Sequence, residues 1–220
     1  MNRRDDLRNF RIHAVTDTEV LESADFLDRA RALSATGLAA INLRAHGFQG
    51  GRLFAVAEAL REITAREDVP LVVNDRLDVA LAVSADAVHF GIRSIPLQAA
   101  APLCRAGEIP FGYSCHSLKE AGEAQQLGAA YVYLGTVFPS MSKPGVTPAG
   151  LGLLERVCGA LELPIFAIGG ISPGNADKVA ASGAYGAAAI SSVWKAGNMV
   201  QAVERINACF ESFTPGSPGS

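Results

Sequence analysis

Two short polar pairs stand where chemistry is easiest to place. Gly169-Gly170 follows the apolar run 165–168, and Ser191-Ser192 follows the run 187–190. Adjacent glycines let backbone N–H groups approach an anion, and a helix starting at a serine adds free N–H groups and its dipole. Together they predict a phosphate site; the plainer alternative is two tight-turn glycines and a helix cap. Ser140-Met141-Ser142-Lys143-Pro144-Gly145 is a loop with two hydroxyls and a cation, suited to clamping a phosphorylated ligand or simply solvated. Arg44 ends an apolar run and reads as an anion ligand.

Other strand ends offer proton or metal chemistry. His116, in Ser114-Cys115-His116-Ser117, could move a proton near its ordinary pKa, or only open a helix with a local hydrogen bond. His46 stands in a similar position with less support. His13 and His89 fall within or beside apolar runs and read as structural. Asn74-Asp75 offers oxygen ligands to a divalent cation, but one carboxylate makes a weak Mg²⁺ site. Asp75 could equally pair with Arg76 or Arg44. Cys115 lacks an oxyanion-hole signature and is not read as a nucleophile. The four cysteines (104, 115, 158, 209) are far apart, without metal spacing, and read as reduced and mostly buried thiols.

The elements that must carry these residues recur along the chain. Eight apolar runs are visible: 12–16, 39–43, 71–73, 87–90, 111–114, 131–134, 165–168 and 187–190. Several are continuous rather than alternating, as expected of strands covered on both faces. Segments of helical spacing lie between them, such as Phe54-Ala57-Leu60-Ile63 and Leu151-Leu154-Val157. Ser117 and Glu120 form a capping-box pattern for a helix over 117–127. Gly37, Gly128 and Gly183 sit where helices should end. This alternation predicts the α/β class and a single-domain (β/α)8 barrel over 11–211, with an N-terminal extension 1–10 and a flexible tail 212–220. An open doubly wound sheet is the competitor, but the first turn, Thr16-Asp17-Thr18-Glu19, has no glycine. In a barrel, function belongs to the loops after the strands, where all these polar residues fall.

Composition bounds the rest. The chain has 220 residues, 49% apolar, with a net charge of −3 and no basic block, so nucleic acid is not an expected partner. No apolar run is long enough to span a membrane, and no signal peptide is apparent, so a cytoplasmic location is expected. Trp194 and Phe210 could cover a helix face or form a homo-oligomer interface.

The motifs together resemble the thiamin phosphate synthase/TenI family, over about residues 11–210. The resemblance rests on Val15-Thr16-Asp17, Leu43-Arg44, Val73-Asn74-Asp75-Arg76, 86–91, 112–117, 135–143, 167–171 and Asn175. It implies a thiazole phosphate site at Gly170, Ile190, Ser191, Ser140, Ser142 and Lys143. It further implies substrate contacts at Arg44, Asn74, Asp75 and Ser114, and a catalytic role for His116. The synthases resemble Gln-Leu-Arg-x-Lys after strand 2, where this chain has Asn42 and His46 in place of the Gln and Lys. After strand 4 they read Gly-Gln-x-Asp, whose Asp is a second Mg²⁺ ligand; here the run is Gly91-Ile92-Arg93-Ser94. That loss resembles the TenI branch, so the leading expectation is a metal-independent thiazole tautomerase with no cofactor. The alternative is a thiamin phosphate synthase using Mg²⁺ through Asp75. The third is a non-catalytic binder of a thiazole or thiamin phosphate.

Overall fold

The computed structural model describes residues 7, 9–140 and 145–212. Each apolar run becomes a strand. These are β1 (Ile12–Val15), β2 (Ala39–Leu43), β3 (Leu71–Asn74), β4 (Ala87–Phe90), β5 (Phe111–Cys115), β6 (Tyr131–Gly135), β7 (Ile165–Ile168) and β8 (Gly186–Ala189). All pair in parallel in chain order, and β1 closes on β8 through Ile12 opposite Ala187, so the sheet is a closed barrel. Helices follow each strand: α1 (Thr18–Glu22) and α2 (Phe26–Ser34), α3 (Gly50–Arg66), α4 (Leu77–Ala82), α5 (Leu97–Ala106) and α6 (Leu118–Gln126). Then come α7 (Gly150–Ala160), α8 (Ala176–Ala181), α9 (Ser191–Trp194) and α10 (Met199–Glu211).

The strands are apolar on both faces because each face meets a different core. Ile12, Ala14, Ile41, Leu43, Val73 and Phe90 pack outward into the cluster shared with the helices. Val15, Val72, Ala87, Tyr131, Tyr133, Phe166 and Ala188 form a separate cluster, the filling of the barrel. Leu7, from the expected N-terminal extension, is buried with this inner set.

Helix ends follow the sequence signals with two adjustments. Gly37, Gly128 and Gly183 take φ of 63°, 89° and 84°, the left-handed conformation of a helix stop. Ser117 accepts from the Glu120 N–H at 3.2 Å, but the Glu120 carboxylate reaches the His116 N–H (2.6 Å) rather than that of its own cap. In α3 the buried stripe is Leu53, Ala57, Leu60 and Ile63; Phe54, expected on that stripe, is exposed, because a face set by Ala57 and Leu60 continues to position 53.

Trp194 and Phe210 are buried in the core, with Trp194 5.6 Å from the Phe26 ring. Among the described residues all four cysteines are free, two buried and two half-buried. No helix of the described residues is long and apolar enough to cross a membrane. The stretch 213–220 of the expected tail lies outside the described residues.

Candidate active site

A cavity of about 620 Å³ opens where the strands end. That size is ordinary for a small-molecule site. Nine of the residues expected to bind substrate or catalyse line it: Arg44, Asn74, Asp75, Ser114, His116, Ser140, Gly170, Ile190 and Ser191. Ser142 and Lys143 lie outside the described residues.

One side of the mouth is built by the turns after β7 and β8. Gly169 and Gly170 have φ of 96° and 67°, and a Cβ on Gly170 would stand 2.5 Å from the Pro139 carbonyl oxygen. Only glycine lets this turn pack against the loop after β6. Asn175 fixes the turn from below: its amide donates to the Gly170 carbonyl (2.9 Å) and its oxygen accepts from the Ser172 N–H (2.8 Å). Ile190 and Ser191 complete this corner, where Ser192 Oγ is buried without a protein partner.

Across the mouth stand the residues after β2, β3 and β4. Since eight strands close in order, β3 lies opposite β7. Buried Thr16 pins the start of the loop after β2, accepting from the Arg44 N–H (2.9 Å) and donating to the Arg44 carbonyl (3.1 Å). Burial lowers the pKa of Arg44, and Arg93 lowers it further, against the opposing pull of Asp75 and Asp17. His46 is also shifted downward, by burial and then by Arg44 and Arg93, so it is neutral at pH 7. Its Nε2 accepts from Arg93 Nη2 at 2.7 Å.

Asp75 takes φ of 64° and pairs with neither of the arginines expected from the sequence. Arg76 turns away to Asp78 (Nε to Oδ1, 2.8 Å), because the two are neighbours on the exposed start of α4. The Asp75 carboxylate instead accepts from Ser94 Oγ, and Ser94 Oγ accepts from the Gly91 N–H at 2.7 Å. Asn74 Oδ1 is buried without a partner.

The floor is a polar strip built on His13 and His89, the two histidines that the sequence marks as structural. His89 Nε2 is 2.8 Å from Ser114 Oγ and its Nδ1 is 3.2 Å from the Tyr131 hydroxyl. His89 also stacks on Tyr133 at 4.1 Å, and both rings reach the cavity. Beneath them the Tyr133 hydroxyl meets His13 Nδ1 (2.6 Å) and accepts from the Asn42 amide (2.9 Å). Burial pushes both histidines down to about 3, so both are neutral. The signal that could have marked them is position: each is an inward residue of its strand, and His89 lies in register with Asn74. His116 is on the rim, half-exposed, with Nδ1 3.8 Å from Glu120 Oε2. Burial pushes the Cys115 thiol up to about 12, in keeping with its exclusion as a nucleophile.

A closed (β/α)8 barrel with a cavity at the strand C-termini that carries convergent polar groups is an architecture of small-molecule enzymes. Residues 12–193 match the family described as thiamine monophosphate synthase, and the chain belongs to that family. It is 34% identical over 206 residues to the thiamine-phosphate synthase of Pyrococcus furiosus, covering 93% of this chain and 97% of that one. A Clostridium novyi thiamine-phosphate synthase is 33% identical, covering 85% and 92%. The solved thiamine phosphate pyrophosphorylase of Pyrococcus furiosus superposes with a TM-score of 0.83 at 32% identity, over 94% and 98% of the two chains. These relatives carry the synthase name and lend no support to the tautomerase that led the sequence expectation.

The family resemblance implies Mg²⁺, and the residues present do not fit it. Asp75 is a single carboxylate already engaged by Ser94, and Ser94 stands where the second carboxylate would be. Two guanidiniums share the space, so a dication there would be repelled by Arg44 and Arg93 as well as drawn to Asp75. Among the described residues no three His, Cys, Asp or Glu side chains group to hold a metal.

Proposed function

We propose that the chain is a transferase of the thiamine-phosphate synthase type, joining hydroxymethylpyrimidine diphosphate to thiazole phosphate. The observation that carries it is one cavity with anion-suited groups on facing sides, supported by synthase relatives aligned over nearly the whole chain. The thiazole phosphate is assigned to Gly170, Ile190, Ser191 and Ser140, with Ser142 and Lys143 added from the sequence motif. The diphosphate is assigned to Arg44 and Asn74, with Asp75 beside them. Ser114, held by His89, is assigned to the ring that lies on the floor.

The chemistry then needs little from the protein beyond position and charge. The methylene C–O bond breaks and its electron pair leaves with diphosphate. The thiazole ring nitrogen supplies the pair for the new C–N bond and becomes cationic, so no proton is transferred. Cationic groups at the leaving side stabilise the developing charge, and the enclosed cavity keeps water from capturing the carbon.

A second reading, the thiazole tautomerase, is favoured by one observation: the carboxylate pair implied for the synthases is reduced to Asp75, while His116 lines the same cavity. That reaction needs a positioned acid or base and no metal. The test is a paired assay of the purified protein, with the thiazole tautomer alone and then with both synthase substrates. Thiamin phosphate and diphosphate formed in equal amounts are expected. Tautomer conversion alone, slowed in His116→Ala without loss of thiazole phosphate binding, would replace the first reading with the second. Tight binding with neither turnover would leave a phosphate-binding protein.

A further inference from the structure

The misfit between the expected metal and the residues present has a physical resolution on the same side of the cavity. Arg44 and Arg93 stand close enough that Arg93 is the second cause, after burial, of the lowered Arg44 pKa. Like charges held together in a half-buried cleft cost free energy that a bound anion returns. Neutral His46 accepts from Arg93 at 2.7 Å and fixes its guanidinium at the mouth. A guanidinium presents paired N–H donors that match phosphate oxygens, and it keeps its charge without help from a metal. Asn74, whose buried amide oxygen has no protein partner, lies beside them, and an amide can turn to offer its NH₂ to the same ligand.

We propose that this end of the cavity is an arginine-clamped diphosphate site that works without Mg²⁺. Arg44 and Arg93 supply the positive charge that a two-carboxylate site would recruit as a metal ion, and His46 is the positioning residue for Arg93. Ser94 completes the exchange: it donates to the Asp75 carboxylate where a second carboxylate would repel it, so that Asp75 is a lone acidic group beside the two arginines. The inference rests on the transferase reading for the identity of its ligand.

Calorimetric titration with inorganic diphosphate tests it, in EDTA and in excess Mg²⁺. The wild-type dissociation constant should agree within about threefold between the two conditions. Arg93→Gln, at an exposed position where folding is undisturbed, should weaken binding in EDTA about tenfold or more, the scale of a lost charge-assisted bidentate contact. Thiazole phosphate binding, at the facing side, should not change. Ser94→Asp should convert the site, with Mg²⁺ then tightening diphosphate binding about tenfold or more, as a second carboxylate creates a dication site. Wild-type binding that requires Mg²⁺ overturns the clamp and leaves the transferase reading standing. Metal-free binding that is insensitive to Arg93→Gln overturns the arginine assignment. No diphosphate binding in either condition overturns the clamp and the transferase reading together. Metal-free binding without thiamin phosphate formation in the paired assay overturns only the transferase reading.

Discussion

His13 and His89 are held neutral inside the barrel, with pKa values pushed down to about 3 by burial. Unfolded, a histidine titrates near 6.5. Between these values the unfolded chain binds protons that the folded chain refuses. Stability is therefore complete above about pH 6.5 and declines as pH falls toward 3, by up to about 1.4 kcal/mol per pH unit for each histidine. Urea midpoints measured from pH 7 to pH 5, above the carboxylate range, should fall steadily, and His13→Asn should make the decline shallower. A flat wild-type profile over that interval would contradict the assignment. The sequence marked both residues as structural, which their burial supports. It did not mark His89 as the support of Ser114 at the cavity floor, because a run apolar on both faces does not say which face is inward. The placement of Arg44, Asn74, Asp75 and His116 at the cavity was legible because each stands at a strand end. The Asp75–Ser94 contact was not, since the two are 19 residues apart and meet only when β3 and β4 pair.

At the scale of elements, the strands begin and end within a residue or two of the expected runs. Burial on both faces makes them continuous in apolar character, and helix-ending glycines punctuate the gaps. What the runs do not specify is how one loop leans on the next. The turn after β7 depends on the loop after β6 through Gly170, whose φ of 67° and closeness to the Pro139 carbonyl both exclude a side chain. Gly170→Ala should cost about 1–3 kcal/mol of stability from backbone strain and the displaced contact. The same change should weaken thiazole phosphate binding about tenfold, while diphosphate binding across the mouth stays within about twofold on the affinity scale. Thermal unfolding and the two titrations check these together; equal loss at both sides would mean that the substitution acts through the whole barrel.

Closure is what turns a string of strand ends into a site. Residues at the ends of β3 and β7, 95 positions apart between Asn74 and Gly169, face each other only because the sheet returns on itself. Closure also shuts Tyr131 and Tyr133 into the interior, where burial raises both phenols above the ordinary tyrosine range. The chain has four tyrosines, so these two are half of its phenolic absorbance. A phenol kept neutral by the fold stabilises it below about pH 10, and this contribution is lost as pH rises further. In an alkaline spectrophotometric titration, phenolate from this pair should appear only as the far-ultraviolet circular dichroism collapses. Complete phenolate formation with native dichroism would show the interior to be open. The two rings that fill the barrel are thus an intrinsic optical reporter of its opening, and the protection given by a bound ligand can be followed by absorbance without any label.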